Sequence, residues 1–156
     1  MTQSTPTRPT AAFVGASWLA LLAGSLAFVI GLWNARLALS EKGFYLTLLL
    51  YGLFAAVSLQ KCVRDRIEGI SVSGIYFALS WISVGAALVL LSTGLWNAGL
   101  APSEKGFYAM AFALSLFSAV AVQKNVRDLE AAGPQADPPV ESFPLLEEPY
   151  RVTPPR

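Results

Sequence analysis

The sequence predicts an all-α membrane protein with four transmembrane helices, built from two parallel tandem helix-loop-helix repeats. Three observations support this fold class. The 156 residues are 54% hydrophobic and 13% charged, a composition that is unusual for a soluble domain. The 11 Lys and Arg and the 10 Asp and Glu leave four long uncharged runs. The second half of the chain also repeats the first at an offset of 63 residues.

The four uncharged runs are the predicted spans, and they comprise residues 13–33, 44–60, 75–96 and 107–123. A helix needs roughly 20 apolar residues to cross a hydrocarbon core of about 30 Å, so the first and third runs suffice alone. The shorter second and fourth runs are each followed by a Lys, whose aliphatic stem reaches the headgroups. All 10 prolines lie outside the runs, which favours unbroken helices. The first run is longer than a signal peptide's apolar region, so we expect it to be retained.

Three multi-residue motifs recur in the same order in both halves. Gly-Leu-Trp-Asn-Ala, Ser-Glu-Lys-Gly-Phe-Tyr and Gln-Lys-x-Val-Arg-Asp all recur, and 22 of the 35 positions in 31–65 match their partners in 94–128. This level of identity indicates a tandem duplication. The predicted organisation is a flexible N-terminal segment 1–12, a first two-helix repeat 13–65, a cytoplasmic linker 66–74, a second two-helix repeat 75–128 and a Pro-rich disordered cytoplasmic tail 129–156.

The topology follows from the duplication and from the positive charges. A unit with two crossings returns to its starting side, so both repeats have the same orientation about a twofold axis along the membrane normal. Six Lys and Arg residues flank the spans on the face with both termini, against three on the other, which places both termini in the cytoplasm. Cys62 is the only thiol, and we expect an impermeant maleimide to label it from that side.

The linking section contains the candidate interfacial motif of each repeat. The Trp rings of this motif favour the headgroup layer. Its Asn side chains can hydrogen-bond to carbonyls that lack a partner at a helix end. A paired polar site across the axis is the alternative interpretation of the Asn residues. Ser40 and Ser103 fit as N-caps, and a small binding rim formed by the Glu-Lys pairs is the alternative interpretation of this motif. The candidate residues are Trp33, Asn34, Glu41, Lys42, Trp96, Asn97, Glu104 and Lys105.

A stripe of small residues that ends in an amide follows one face of the second and fourth helices. Residues four apart share a helix face, and small side chains there permit close helix packing in membranes. A narrow polar passage lined by the two amides is the alternative. The candidate residues are Gly52, Ala56 and Gln60 in the first repeat and Ala111, Ser115, Ala119 and Gln123 in the second.

Composition also argues against several classes of function. The chain has no His and 1 Cys, so a zinc, haem or triad enzyme is not expected. A net charge of +1 provides no basic field for nucleic acid. We expect no enzyme activity, no cofactor and no metal. The expected partners are the lipid bilayer and either further copies of the chain or other membrane proteins.

The repeated motifs resemble the bacterial YiaA/YiaB family of inner-membrane proteins, whose unit is two transmembrane helices with a characteristic linking section. The resemblance covers residues 17–128 and is closest to the two-unit, YiaA-like form. It implies the inner membrane, and it transfers no catalytic or ligand-binding residue.

The leading functional hypothesis is a non-enzymatic scaffold or accessory membrane component with a role under envelope stress. A small oligomeric transporter or channel is the alternative, because parallel repeats occur in transporters. The predicted spans contain no ionisable Asp, Glu, Lys, Arg or His, and these are the usual ion and proton couplers. An intramembrane enzyme ranks third, because no base accompanies the span hydroxyl groups.

Overall fold

The computed structural model describes residues 8–133, which form four α-helices and no strand. The helices are α1 (Ala11–Asn34), α2 (Leu39–Ile67), α3 (Gly74–Asn97) and α4 (Pro102–Ala131). All four are long and apolar enough to cross a membrane, which confirms the predicted fold class. The tail is predicted to begin at residue 129, but α4 continues through Ala131. Residues 134–156 of that predicted tail, and residues 1–7, lie outside the described part of the chain.

The odd and even helices begin in different ways. Thr10 and Ser73 cap α1 and α3, because each hydroxyl accepts a hydrogen bond from the backbone N–H three residues later. This is the usual behaviour of an N-cap side chain. The N-caps of α2 and α4 are instead Ala38 and Ala101.

The prediction that Ser40 and Ser103 are N-caps is therefore wrong. Both lie inside the first turn of their helices. The carboxylates of Glu41 and Glu104 accept hydrogen bonds of 2.7 Å from the backbone N–H groups of Ala38 and Ala101. A carboxylate that satisfies a free N–H at the helix start, where the helix dipole favours negative charge, allows the helix to begin before the serine.

A tight turn, residues 68–73, joins the two repeats. It follows a helix end in which Gly69 has a φ of +76°. The N–H of Gly69 donates to the carbonyl of Arg66, and the N–H of Ile70 donates to the carbonyl of Asp65. These are the two hydrogen bonds of a Schellman motif, which favours glycine because of its positive φ. As a result α3 returns directly alongside α2.

The helices pack mainly between repeats and very little within them. The two extensive interfaces are α1 with α4 and α2 with α3, and a smaller interface joins α2 to α4. The first helix of each repeat therefore packs against the second helix of the other repeat. Across the molecule the order is α1, α4, α2, α3, with the twofold axis between the central helices α2 and α4.

Aromatic rings fill the centre of the molecule around this axis. The Tyr45 and Tyr108 rings stack with centroids 6.5 Å apart and an interplanar angle of 16°. Phe28 of α1 meets Tyr108 edge to face at 5.4 Å, and it also packs near Phe112. Large apolar side chains point outwards as well, including Phe54 and Phe117, which are 70% and 77% exposed. An apolar outer surface is what a lipid environment permits.

Close backbone approach occurs where small residues meet. A Cβ added to Gly24 of α1 would lie 2.8 Å from Ser115 Oγ, 3.0 Å from Ser115 N and 3.2 Å from the Ala111 carbonyl oxygen. A Cβ added to Gly52 of α2 would lie 2.5 Å from the ring of Phe112. Two residues of the predicted stripe, Ala111 and Ser115, thus receive α1, whereas Gly52 receives an aromatic ring of α4.

We predict that Gly24→Ala destabilises the fold by about 1–3 kcal/mol, because the methyl group meets the backbone of α4 and forces the helices apart. Unfolding in bicelles measures this difference. Gly15→Ala in the same helix is the matched control, since nothing lies within 4 Å of that position. Equal stability of the two variants would contradict the close approach of α1 and α4.

Candidate functional site

The loop end of the molecule contains the short linkers 35–38 and 98–101, and in both repeats it is closed by the same hydrogen bonds. In the first repeat, Asn34 Nδ2 donates to the Ile30 carbonyl at 2.8 Å. Lys42 Nζ donates to the Trp33 carbonyl at 2.7 Å. In the second, Asn97 bonds the Thr93 carbonyl at 2.8 Å and Lys105 bonds the Trp96 carbonyl at 3.1 Å.

These bonds give each polar side chain of the interfacial motif a local structural role. The Lys groups bond the Trp carbonyls in the last turn of α1 and α3, which have no partner within the helix, whereas the Asn groups bond carbonyls one turn earlier in their own helices. The two Asn residues lie on the outer helices, between which the structure has no contact, so they do not come together across the axis. Both Trp side chains are exposed, Trp33 at 79% and Trp96 at 85%.

The two motifs of the linking section meet across the repeats. A Cβ on Gly94 would lie 2.9 Å from the Phe44 ring and 3.2 Å from the Tyr45 hydroxyl. A Cβ on Gly31 would likewise lie 2.8 Å from the Phe107 ring. Each glycine of a Gly-Leu-Trp-Asn motif therefore accommodates the aromatic pair of the other repeat's Ser-Glu-Lys-Gly-Phe-Tyr motif.

A shallow cleft of about 300 Å³ lies at one of these junctions. It is lined by Ser40, Glu41, Phe44, Tyr45, Gly94, Asn97 and Ala98. The cleft thus presents one carboxylate, one amide and two hydroxyl groups. The Glu41 carboxylate is already engaged by the Ala38 N–H. Lys42 and Lys105 are bonded to carbonyls, so the Glu-Lys pairs close linkers in this structure.

Each of the two main interfaces between the repeats contains a buried polar contact, and the two contacts lie at equivalent positions. Asn125 Nδ2 of α4 donates to Ser17 Oγ of α1 at 3.0 Å. Cys62 Sγ of α2 lies 3.4 Å from Ser80 Oγ of α3. Sequence reasoning missed this role. The signal was present, because the offset of 63 pairs residue 17 with 80 and residue 62 with 125.

The location of Cys62 changes one sequence-based expectation. Its side chain is 1% exposed, because it lies inside the interface between α2 and α3. The expectation that an impermeant maleimide labels Cys62 is therefore wrong for the folded protein. Labelling experiments need an introduced cysteine on the surface.

Gln60 and Gln123 lie together near the axis at the termini end, which comprises the start of α1, the turn 68–73 and the end of α4. They share a narrow space with Lys61, Arg64 and Arg127, and that space holds no volume for a water molecule. The Oε1 atoms of both amides are buried and have no hydrogen-bond partner. The two half-buried glutamines thus come together around a space that is too narrow for water.

Ion pairs join α2 and α4 at the termini end in a reciprocal pattern. Arg64 lies 3.6 Å from Asp128, and Arg127 lies 3.6 Å from Asp65. Within each helix, Lys61 bonds Asp65 and Lys124 bonds Asp128, both at 2.6 Å. These contacts continue the twofold symmetry beyond the apolar part of the helices.

Glu68, in the turn that follows α2, departs from this symmetry. Its carboxylate receives Arg64 Nε at 2.7 Å and Arg127 Nη2 at 2.8 Å. The hydrogen bond from Arg64, together with the charge of Arg127, holds the pKa of Glu68 below its ordinary value of 4.5. The carboxylate thus bridges the two repeats.

Residues 8–133 contain no group of three or more His, Cys, Asp or Glu side chains placed to hold a metal ion. The polar contacts described above are helix-end bonds within each repeat, two buried polar pairs and one ionic cluster. The buried pairs and the ionic cluster join the two repeats.

The comparisons with known proteins match both halves of the chain. The YiaA/B two helix domain family matches residues 13–65 and 76–128. The chain is 53% identical over 117 residues to the "Inner membrane protein YiaA" of Escherichia coli strain K12, covering 75% of this chain and 81% of that protein.

A shorter relative matches about one repeat. The chain is 39% identical over 62 residues to the "Uncharacterized membrane protein YubF" of Bacillus subtilis strain 168, covering 39% of this chain and 71% of that protein. No solved structure matches the chain.

We predict that Glu68→Gln lowers the melting temperature in detergent near neutral pH, because the variant weakens both Arg contacts. The depressed pKa of Glu68 means that its contribution is fully present above its ordinary value of 4.5 and is lost as the pH falls through the folded-state pKa. The difference between wild type and variant should therefore shrink under acidic conditions.

Glu130→Gln is the control for this measurement, because Glu130 is exposed near the end of α4. It should leave the melting temperature almost unchanged at both pH values. A constant difference between wild type and Glu68→Gln at all pH values would contradict the ionic bridge.

Proposed function

The chain belongs to the YiaA/B two-helix-domain family, with one domain in each half, and on this premise we propose that it is a non-enzymatic scaffold or accessory component of the bacterial inner membrane. The observation that carries the proposal is the use of polar groups between helices. Buried pairs such as Asn125 with Ser17 join the repeats to each other. This use is typical of structural packing in membranes.

The ionisable groups also fit this proposal better than a transport mechanism. Transporters and pumps usually place charged or titratable side chains inside their spans, whereas the uncharged runs here contain none. Gln60 and Gln123 leave no space for water between them. A transport pathway would therefore have to form between copies, and a small oligomeric transporter or channel is the alternative proposal.

The proposed contact surface is the pair of exposed Trp side chains at the loop end. Trp33 and Trp96 lie on opposite outer helices and project from the motif that recurs in both repeats. Large aromatic side chains are favoured contact residues in protein interfaces. We propose that they contact other membrane proteins or further copies of the chain, and that this contact matters under envelope stress.

We predict that a photo-crosslinking amino acid at Trp33 or Trp96 captures the same discrete protein products in native membranes. Substitution at Phe54 or Phe117 is the matched control, because these aromatic side chains are similarly exposed, at 70% and 77%, but lie in the spans. Equal capture at all four positions would contradict a specific loop-end contact.

A flux assay separates the two proposals. We expect liposomes containing the purified protein to show no leak or exchange above that of empty liposomes. Solute or ion flux that is abolished by substitution of Gln60 or Gln123 would replace the scaffold proposal with the channel alternative. A deletion strain that tolerates osmotic and detergent stress as well as its parent would remove the stress component.

We also propose that both termini are cytoplasmic, from the excess of Lys and Arg at the termini end. In a Cys62→Ala background, an impermeant maleimide should label Gly99→Cys in intact spheroplasts, and Ser71→Cys only after the membrane is opened. Both positions are exposed, one at each end. The reverse pattern would invert the assigned orientation.

A further inference from the structure

A groove of about 600 Å³ opens on the outer surface along α2, between α3 and α4. Its lining includes Ala56 and Arg64 of α2, Trp81 and Val84 of α3, and Val120 and Lys124 of α4. The groove exists because α3 and α4 both pack on α2 but barely touch each other. Its volume falls within the range of about 300–1,000 Å³ that is usual for ligand sites.

The groove is apolar at one end and ionic at the other. Ala56, Val84 and Val120 form the apolar end, within the uncharged runs. Arg64 and Lys124 lie at the other end, just beyond the points where the uncharged runs of α2 and α4 stop. From Ala56 to Arg64 the helix rises about 12 Å, so the groove crosses from hydrocarbon depth to headgroup depth.

The ionic end retains unused hydrogen-bond donors and a small net positive charge. Arg64 and Lys124 line the groove with one carboxylate, that of Asp128, and Arg64 also bonds Glu68 at 2.7 Å. The ionic cluster to which these side chains belong contains four cationic and three anionic groups. Lys124 bonds Asp128 at 2.6 Å, yet its side chain remains 60% exposed. A Lys has three donors and an Arg has five, so both side chains can bind a second anion while they keep their carboxylate contacts.

We propose that this groove is a binding site for an anionic glycerophospholipid. One acyl chain lies along Ala56, Val84 and Val120, and the phosphate is bound by Lys124 and Arg64. Basic side chains at the membrane surface attract anionic lipids. The apolar end of the groove provides a surface for an acyl chain of the same lipid. Phosphatidylglycerol is the probe that represents this class.

The same charge argues against a second copy of the protein as the occupant. A symmetric contact through this groove would place the Arg64 and Lys124 side chains of two copies close together, because a twofold interface uses the same surface patch twice. Like charges at such a contact oppose association. An anionic lipid instead complements the ionic end.

The duplication provides a matched control for the cationic residue. Lys61 is the equivalent of Lys124 in the first repeat. It also bonds an Asp four residues later at 2.6 Å, and its side chain is 59% exposed. Lys61 does not line this groove. The two lysines therefore match in their pairing to Asp and in their exposure, and of the two Lys124 lines this groove.

Native mass spectrometry of the full chain tests the proposal by titration with phosphatidylglycerol and with phosphatidylcholine of the same acyl composition. Wild type and Lys61→Ala should bind phosphatidylglycerol preferentially. Lys124→Ala should bind it about fivefold more weakly, since a Lys or Arg near the surface typically contributes about that factor. Equal loss in both variants, or equal binding of the two lipids, would overturn the proposal.

Trp81 provides an independent readout inside the groove. With Trp18, Trp33 and Trp96 replaced by Phe, brominated phosphatidylglycerol should quench Trp81 more strongly than brominated phosphatidylcholine, and Lys124→Ala should remove this preference. A parallel variant that keeps only Trp18, the equivalent residue of the first repeat, should show no comparable preference. Absence of the preference at Trp81, or a dimer that crosslinks through Val84→Cys in a Cys62→Ala background, would refute lipid occupancy.

Discussion

The first helix of each repeat packs against the second helix of the other repeat, and the rest of the structure depends on this constraint. Lipid offers apolar side chains an environment as favourable as the protein interior, so helix association in membranes relies on close packing and polar contacts. Here those contacts lie between α1 and α4 and between α2 and α3. A single repeat in isolation lacks both partners. The two repeats form one structural unit because neither can complete its main interface alone.

The contacts of several polar and small residues follow from this constraint. Ser17 and Asn125 meet only because α1 packs on the other repeat's second helix, and Gly24 faces Ser115 for the same reason. At the loop end, each glycine of one motif receives aromatic rings from the other repeat. The recurrence of these motifs thus reflects reciprocal contacts between repeats as well as the local closure of each linker.

The sequence predicted the four spans, the duplication and their membrane setting, because charge gaps and repeated motifs report directly on helix length and unit boundaries. It did not predict that the main helix interfaces lie between the repeats, since hydrophobic runs contain no information about which helices are neighbours. It placed the N-caps at Ser40 and Ser103, whereas Glu41 and Glu104 satisfy N–H groups further upstream. It also treated Cys62 as accessible, although tertiary packing buries it. Of the two interpretations of Asn34 and Asn97, a polar pair across the axis does not form, and both side chains bond carbonyls one turn before the ends of their own helices.

Covalent fusion of the two units has an evolutionary consequence. In a symmetric dimer of identical chains every substitution appears twice, at both sides of the axis. Fusion removes that restriction and keeps the second unit at high effective concentration, so equivalent positions can diverge independently. Cys62 beside Ser80 and Asn125 beside Ser17 are two solutions at one equivalent position, and Glu68 bridges both halves with no copy of itself at residue 131. Gene duplication therefore gave this small protein a means to become asymmetric while its fold remained a pair.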